Sequence, residues 1–182
     1  MLVEVQGPIG NIPLIISPSI IVPNLRVLII TSARDSNIEQ WMTFLKENAD
    51  GYRIKELTLL PMDNENYKVL IPFISLLRSI ARLELRGSIL DSFIYELLED
   101  TSRAASDSNS DPIMFPLLST LVIVDYGGDG MAVQQLVETR LALHTSLRDT
   151  LPSVSRMEKV EWNNCKNVLP AIRWRIARLC EG

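Results

Sequence analysis

Hydrophobic residues recur along the chain in one short pattern, an apolar residue followed three and five positions later by two more. The pattern is clearest in IARLEL at residues 80–85, where Ile80, Leu83 and Leu85 are the apolar positions. The same spacing occurs in LRVLII (25–30), IKELTL (54–59), LSTLVI (118–123) and MEKVEW (157–162). Alternating apolar and polar positions are typical of β-strands, so the pattern predicts five of them.

The five copies begin 29, 26, 38 and 39 residues apart, which is the spacing of a repeat array. The third interval contains TSRAASDSNSD (101–111), a segment of eleven residues with no large apolar side chain, which we interpret as a flexible surface insertion. Without it the interval falls to 27. The segment LALHTSLRDTLP (141–152), which extends or follows a helix, accounts for the length of the last interval.

The segments between these strands have helical spacing of apolar residues. Four sets share this spacing: Ile38, Trp41, Met42 and Leu45; Leu90, Phe93, Ile94, Leu97 and Leu98; Val133, Leu136 and Val137; and Ile172, Ile176, Leu179 and Cys180. Ser88 and Asp91 are spaced as a capping box for the second set. Within residues 65–79, Pro72 predicts that a helix begins near it or kinks there.

Strands that alternate with helices predict an α/β fold with parallel strands and right-handed crossovers. A sheet covered by helices on both faces would give the same order of elements. The constant spacing of the strand motif, and the lack of a dinucleotide or phosphate-loop fingerprint, favour a solenoid with strands on a concave face and helices on a convex face. We expect a cap or extended segment at 1–24 and the array at 25–182. Residues 8–24 and the basic last helix are the candidate end caps.

The motif with one helix per unit resembles the leucine-rich repeat, over about residues 20–180. PNLRVLII, PLLSTLVIVD, MAVQQLVETR and RWRIARLCEG further resemble segments of fungal F-box proteins with leucine-rich repeats. The resemblance implies the substrate-recognition part of an F-box-type ubiquitin-ligase adaptor. Residues 1–24 do not resemble an F-box, so a Skp-type adaptor is an expected partner only if a longer parent chain carries one.

Because side chains alternate along a strand, motif positions 1, 4 and 6 are predicted to face the core and positions 3, 5 and 7 the concave face. The predicted partner-binding residues on that face are Val27, Ile29, Glu56, Thr58, Arg82, Glu84, Arg86, Val122, Val124, Lys159 and Glu161; Thr31, Leu60, Thr120 and Asn163 share it.

Two features of this face have alternative interpretations. One concerns four apolar residues, which are either β-formers partly covered by their neighbours or an exposed apolar patch for a partner: Val27, Ile29, Val122 and Val124. Arg82 and Arg86 could bind an acidic or phosphorylated peptide, or could pair with Glu56 and Glu84.

Composition narrows the class of protein. The chain has 182 residues, a hydrophobic fraction of 47% and a formal net charge of −4, which is unfavourable for nucleic acid as the main partner. The apolar N-terminus has no basic start, carries Glu4 and is interrupted by prolines, so neither a signal peptide nor a membrane span is expected. Cys165 and Cys180 are expected to be reduced thiols in a cytoplasmic or nuclear protein.

No catalytic, cofactor-binding or metal-binding residue is predicted. His144 has no companion ligand at metal spacing and is expected at the surface. The loop DYGGDG (125–130) lacks the lysine of a phosphate loop and is predicted to be a strand-to-helix turn, with Asp129 as a helix cap and glycine at positive φ. Trp41, Trp162 and Trp174 are expected in the core.

These observations predict a non-catalytic protein-binding module without cofactors. Two alternatives remain open at this point. One is a structural repeat fragment with no dedicated ligand, whose concave face would be covered by its own chain. The other is an α/β enzyme, which would need a deep pocket with converging titratable groups.

Overall fold

The computed structural model describes residues 3–7, 25–30, 54–61, 70–72, 74–87, 90–106, 113–147 and 154–181. The described residues form six strands: β1 (Val3–Gly7), β2 (Leu25–Ile30), β3 (Glu56–Leu59), β4 (Arg82–Arg86), β5 (Thr120–Val124) and β6 (Lys159–Asn163). Within the described part of the chain, one helix follows each of the last three strands: α1 (Leu90–Ser106), α2 (Met131–Leu147) and α3 (Pro170–Glu181).

The strands form one parallel sheet in which spatial order equals chain order, β1 to β6. The pairing register matches the sequence motif. Its third positions, Val27, Glu56, Arg82, Thr120 and Lys159, lie side by side across β2 to β6. A slip of one residue would exchange the two faces of a strand, so this register keeps all apolar positions on one side.

Similar backbone hydrogen bonds link the second motif positions of successive units from β2 to β6. The carbonyls of Lys55, Ala81 and Ser119 each accept two N–H donors from the next unit, at 2.8–3.1 Å. The Arg26 carbonyl accepts from Lys55 N–H at 2.8 Å. Successive units are therefore joined at equivalent backbone atoms even where their side chains differ.

A second recurring feature follows the strands, at the eighth motif position. Gly87, Asp125 and Asn164 all have positive φ, at 85°, 56° and 55°. Glycine, aspartate and asparagine are the residues that adopt this left-handed conformation most readily. The N–H groups of Gly87 and Asp125 donate to the strand-end carbonyls of Val124 and Asn163, at 3.1 and 3.0 Å.

Gly87→Ala is expected to lower the free energy of unfolding by about 1–3 kcal/mol, because the residue has positive φ and little space. A Cβ at this position would lie 2.7 Å from Pro61 Cγ. The matched control is Gly127→Ala, whose Cβ meets nothing within 4 Å and whose φ is not left-handed. Urea denaturation of both variants measures the difference, and equal stability would contradict this account of the turn.

One main core lies between the sheet and the helices. The buried residues of motif positions 1, 4 and 6 in β2 to β6, together with Phe93, Leu97, Leu136 and Ile176 of the helices, belong to the same apolar cluster. The three helices therefore pack on one face of the sheet. The predicted inward positions are confirmed where the side chain is described, with Val160 and Trp162 of β6 only partly covered. The side chain of Leu25 lies outside the described residues.

Strand β1 was not predicted. Its residues pair with β2 so that Glu4 lies beside Val27 and Gly7 beside Ile30, with a register shift between Val3 and Glu4, which makes 3–7 an incomplete sixth copy of the motif. The apolar pattern missed it because the sixth motif position is Gly7. The expected extended segment 1–24 thus contains a sheet strand, and the expected cap at 8–24 lies outside the described residues.

The segment 101–111, predicted to be a surface insertion, begins as part of a helix. Helix α1 continues to Ser106, and the buried Thr101 hydroxyl donates to the Leu97 carbonyl at 2.6 Å. A hydroxyl satisfied within its own helix can lie against the core, which polar composition alone does not reveal. Residues 107–111, the helix expected around Trp41 and the predicted Ser88 cap lie outside the described residues.

Pro72 lies within a short helical stretch. Residues 70–72 and 74 are helical, Ser75 N–H donates to the Ile71 carbonyl at 3.0 Å, and the chain then turns toward β4. The start of this stretch lies outside the described residues, so the prediction of a helix beginning at Pro72 remains a prediction.

Candidate partner-binding surface

The face of the sheet opposite the helices, here called the sheet face, carries motif positions 3, 5 and 7. The described predicted residues on it are Val27, Ile29, Glu56, Thr58, Leu60, Arg82, Glu84, Arg86, Thr120, Val122, Val124, Lys159, Glu161 and Asn163. Thr31 lies outside the described residues. Parallel register brings positions that are far apart in sequence into continuous rows across the strands.

Six charged side chains on the sheet face form one connected ion-pair cluster, here called the charge cluster: Glu56, Arg82, Glu84, Arg86, Lys159 and Glu161. Arg82 lies at its centre, 3.6–3.9 Å from the carboxylates of Glu56, Glu84 and Glu161. Lys159 Nζ lies 2.9 Å from Glu161 Oε1. The cluster contains three acids and three bases and is therefore neutral.

The contact between Arg82 and Glu161 crosses an intervening strand. Arg82 belongs to β4 and Glu161 to β6, and adjacent strands lie about 4.8 Å apart. The long arginine side chain therefore passes over β5, where Val122 lies between Glu84 and Glu161 in the same row. This geometry accounts for the burial of Val122, which is only 1% exposed although it is on the sheet face.

The interpretation of Val122 and Val124 as an exposed apolar patch is therefore wrong. Both are buried, Val124 between the strand positions of Arg86 and Asn163. Val27 and Ile29 of β2 are partly covered. The most exposed of the described side chains on the sheet face are Glu56, Arg86, Lys159 and Asn163.

Arg86 is engaged with Glu84 in a two-point contact. Its Nε and Nη2 atoms lie 2.7 and 2.6 Å from Glu84 Oε1. A phosphate bound by Arg86 would have to displace this carboxylate, and three carboxylates already surround Arg82. The geometry thus favours the interpretation in which these arginines pair with neighbouring glutamates.

Glu161 gives the cluster a pH dependence. The hydrogen bond from Lys159 lowers the pKa of Glu161 below its usual 4.5, the charges of Lys159 and Arg82 act in the same direction, and burial opposes them. Because the folded state holds the carboxylate deprotonated, this contribution to stability is present above the usual pKa. It is lost as pH falls through the folded pKa.

The unchanged chain is expected to lose unfolding free energy as the pH falls from about 5 to about 3, and Glu161→Gln is expected to lose less of it. The difference should be below about 1 kcal/mol, because the ion pair lies close to solvent. Urea denaturation across this range measures the slope. Glu158→Gln is the matched control, because Glu158 is exposed and lies on the neighbouring stretch of chain. An unchanged slope in Glu161→Gln would contradict the expected role of the pair.

Two other predicted positions have structural roles. His144 is partly buried rather than fully at the surface, and its Nδ1–H donates to the Val154 carbonyl at 2.9 Å. In the loop 125–130, Asp129 Oδ1 accepts from Met131 N–H at 2.9 Å and Gly130 has a φ of 90°, so the predicted helix cap and turn are confirmed. Cys165 and Cys180 are free, as predicted.

Trp174 was wrongly expected in the core and is 65% exposed. It lies two residues from both Ile172 and Ile176, which face the core, and this offset of about 200° turns it to the outer side of α3. The Arg178 guanidinium lies 5.3 Å from its ring centroid. Trp162 packs partly against the core, and Arg173 covers its ring at 5.9 Å.

Sequence reasoning also missed a buried charge. Arg140 on α2 is completely buried, and its Nη2 donates to the Phe115 carbonyl at 2.9 Å. Burial lowers its pKa to about 10, partly offset by the charge of Asp100. Burial also raises the pKa of Asp100, whose Oδ2 accepts from Met114 N–H at 2.6 Å. The sequence does place Arg140 toward the core, because it is seven residues after Val133 and lies on the same core-facing stripe of the helix.

Among the described residues, no group of His, Cys, Asp and Glu side chains is arranged to hold a metal ion. Within the same residues, no helix has the length and apolar character needed to cross a membrane. No protein-family model, no curated protein and no solved structure matches this chain.

Proposed function

We propose that this protein is a non-catalytic protein-binding module, a short solenoid of the leucine-rich-repeat type with about five repeats. In this proposal it binds a protein partner through the sheet face. The observation that carries the proposal is the charge cluster, a set of six charged side chains joined by ion pairs on the side of the sheet opposite the three described helices.

Three features support the solenoid. Strand order follows chain order, so each unit pairs with the units before and after it. The motif positions lie in register from β2 to β6. The paired N–H donors at the second position and the left-handed residue at the eighth recur in successive units. Repetition of both side-chain and backbone contacts is what nearest-neighbour packing of repeats requires.

The charge cluster also indicates the kind of partner. Its side chains are already positioned by their mutual contacts, so less side-chain entropy is lost on binding. Both signs of charge are present, with exposed cations at Arg86 and Lys159 and an exposed anion at Glu56. A complementary partner presents opposite charges in the same order, which gives specificity more than affinity. A simple polyanion does not match this arrangement.

The proposed link to F-box-type ubiquitin-ligase adaptors rests on the resemblance of PNLRVLII, PLLSTLVIVD, MAVQQLVETR and RWRIARLCEG to those proteins. In that role the sheet face would bind the substrate, and a separate F-box in a longer parent chain would bind a Skp-type adaptor. Fold alone does not assign this role, so co-purification of a Skp-type adaptor with the parent chain is its test.

The function is tested by affinity capture from host lysate and mass spectrometry, with Arg82→Glu/Arg86→Glu beside the unchanged chain. The matched control is Arg78→Glu/Arg103→Glu, which makes the same charge change at two exposed arginines outside the charge cluster. We expect a partner captured by the unchanged chain and by the control to be lost by at least about tenfold in the sheet-face variant.

Circular dichroism and urea denaturation establish that each captured variant is folded. Equal loss of the partner in both double variants would indicate a general charge effect and contradict binding at the sheet face. Retention of every partner by Arg82→Glu/Arg86→Glu would contradict it as well.

A further inference from the structure

The outer side of the helices, here called the helix layer, exposes large apolar side chains on every described helix. Tyr95 on α1, Met131 at the start of α2, Leu169 directly before α3 and Trp174 on α3 are each more than half exposed. Among the described residues, no large apolar side chain on the sheet face is comparably exposed. Tyr95 and Met131 line the same groove, and a contiguous exposed apolar patch is typical of an interaction surface.

Part of the helix layer is a groove of about 860 Å³ between α1 and the start of α2. Tyr95, Tyr126 and Met131 provide its apolar lining, and Asp129 and Glu138 are its charged lining residues. Because Glu138 is paired with Arg175 of α3, Asp129 supplies the acidic character of the groove. No lysine or arginine lines it. Helix α1 contributes Tyr95 to the groove, with Glu96 exposed at the next position and Glu99 paired with Arg103.

Helix α3 has the opposite character. It carries three arginines and one glutamate, and its outer side presents Trp174 with Arg178 stacked on the ring. Ala171 and Ala177, three residues on either side of Trp174, are exposed and small, so a partner surface can approach the ring closely. Tryptophan and arginine together are the residues most enriched at the energetic centres of protein interfaces.

We propose that two copies of this chain associate through their helix layers, with the Trp174–Arg178 pair of each copy bound in the acidic groove of the other. The contact joins an aromatic, basic knob to an aromatic, acidic groove, so both packing and charge are complementary. Both elements lie on the same layer, and Arg175 of α3 pairs with Glu138 of α2 at 2.7 Å. A twofold arrangement can therefore form the contact twice and close the assembly at two copies.

Sedimentation velocity on the full chain over a concentration series tests the proposal. The unchanged chain is expected to sediment as a species of twice its 20.5 kDa mass, and dissociation is expected to increase with salt. Trp174→Ala/Arg178→Ala removes the knob and Tyr95→Ala/Met131→Ala removes the groove lining. Each double variant alone is expected to sediment as a monomer. The control Leu117→Ala, an exposed apolar residue outside the helices, is expected to remain dimeric.

Mixing the two double variants distinguishes this contact from others. The knob variant retains an intact groove and the groove variant retains an intact knob, so the mixture is expected to form a heterodimer with one of the two contacts. Its dissociation constant should be at least about tenfold above that of the unchanged dimer, since one contact is lost.

A monomeric unchanged chain at several hundred micromolar would overturn the proposal. So would dimers that persist in either double variant, or a mixture that stays monomeric while both variants are folded by circular dichroism. The result is independent of the capture experiment on the sheet face, because no residue changed here belongs to the charge cluster.

Discussion

Leu121→Ala is expected to lower the free energy of unfolding by about 2–5 kcal/mol, whereas Thr120→Ala, one residue away, is expected to change it by less than about 1 kcal/mol. Leu121 is fully buried in the main core, and Thr120 lies on the sheet face. Leucine truncation at such a site loses apolar burial and leaves a cavity. Loss of a partly exposed threonine side chain does neither.

The pair tests the assignment of the two sheet faces. Urea denaturation followed by circular dichroism gives both midpoints and slopes, and an unchanged slope shows that the same surface is exposed on unfolding. A larger loss for Thr120→Ala than for Leu121→Ala would mean that Thr120, and not Leu121, faces the core. It would also contradict the register that the five motif copies share.

Arg140→Ala is expected to cost about 3–5 kcal/mol, because it removes a buried donor and leaves a large cavity. The Phe115 carbonyl would lose its arginine donor, and Phe115 itself has a φ of 50°. Asp100 would lose the nearby positive charge that lowers its pKa. The loop before β5 would therefore lose an anchor as well as packing.

Arg140→Met is the informative comparison. Nε and Nη1 of Arg140 are buried without hydrogen-bond partners, so the charged side chain is itself costly. Methionine keeps much of the volume and removes that cost, while the Phe115 carbonyl loses a donor. These effects nearly cancel, and the variant is expected within about 1.5 kcal/mol of the unchanged chain. Equal, large losses for alanine and methionine would contradict this assignment.

Arg140 should also make the unfolding free energy depend on pH in the alkaline range. Burial lowers its pKa to about 10, so above this value the folded state releases a proton that the unfolded state keeps. The unfolding free energy of the unchanged chain should therefore rise relative to Arg140→Met as pH increases beyond about 10. A fall in that difference would contradict the burial of a charged guanidinium.

The sequence was sufficient for the features that depend on local spacing. The strands of the five motif copies, their inward positions and the cap at Asp129 follow from alternation, helical periodicity and turn chemistry. Strand β1 was missed because Gly7 occupies a position that is apolar elsewhere. The exposure of Trp174 could have been inferred from its angular position on the helix relative to Ile172 and Ile176. The prediction of a core position relied instead on the apolar character of tryptophan.

Features that depend on contacts across strands could not be inferred in this way. The residue types allowed ion pairs between Arg82 and glutamates of its own or the preceding strand. The contact with Glu161 requires the side chain to cross β5, and the burial of Val122 follows from that path. The order of the strands, and therefore which charges meet, is fixed only when the units pack together.

Site-specific photocrosslinking tests binding at the sheet face most directly. In two variants a photoreactive residue replaces Glu56 or Lys159, at the two sides of the charge cluster. In a third, matched variant it replaces Ala142, which is exposed on α2 in the helix layer. After irradiation in host lysate, adducts of two copies are separated by mass. The account predicts that the same foreign protein is crosslinked from Glu56 and Lys159 and not from Ala142. A foreign partner crosslinked only from Ala142 would contradict it.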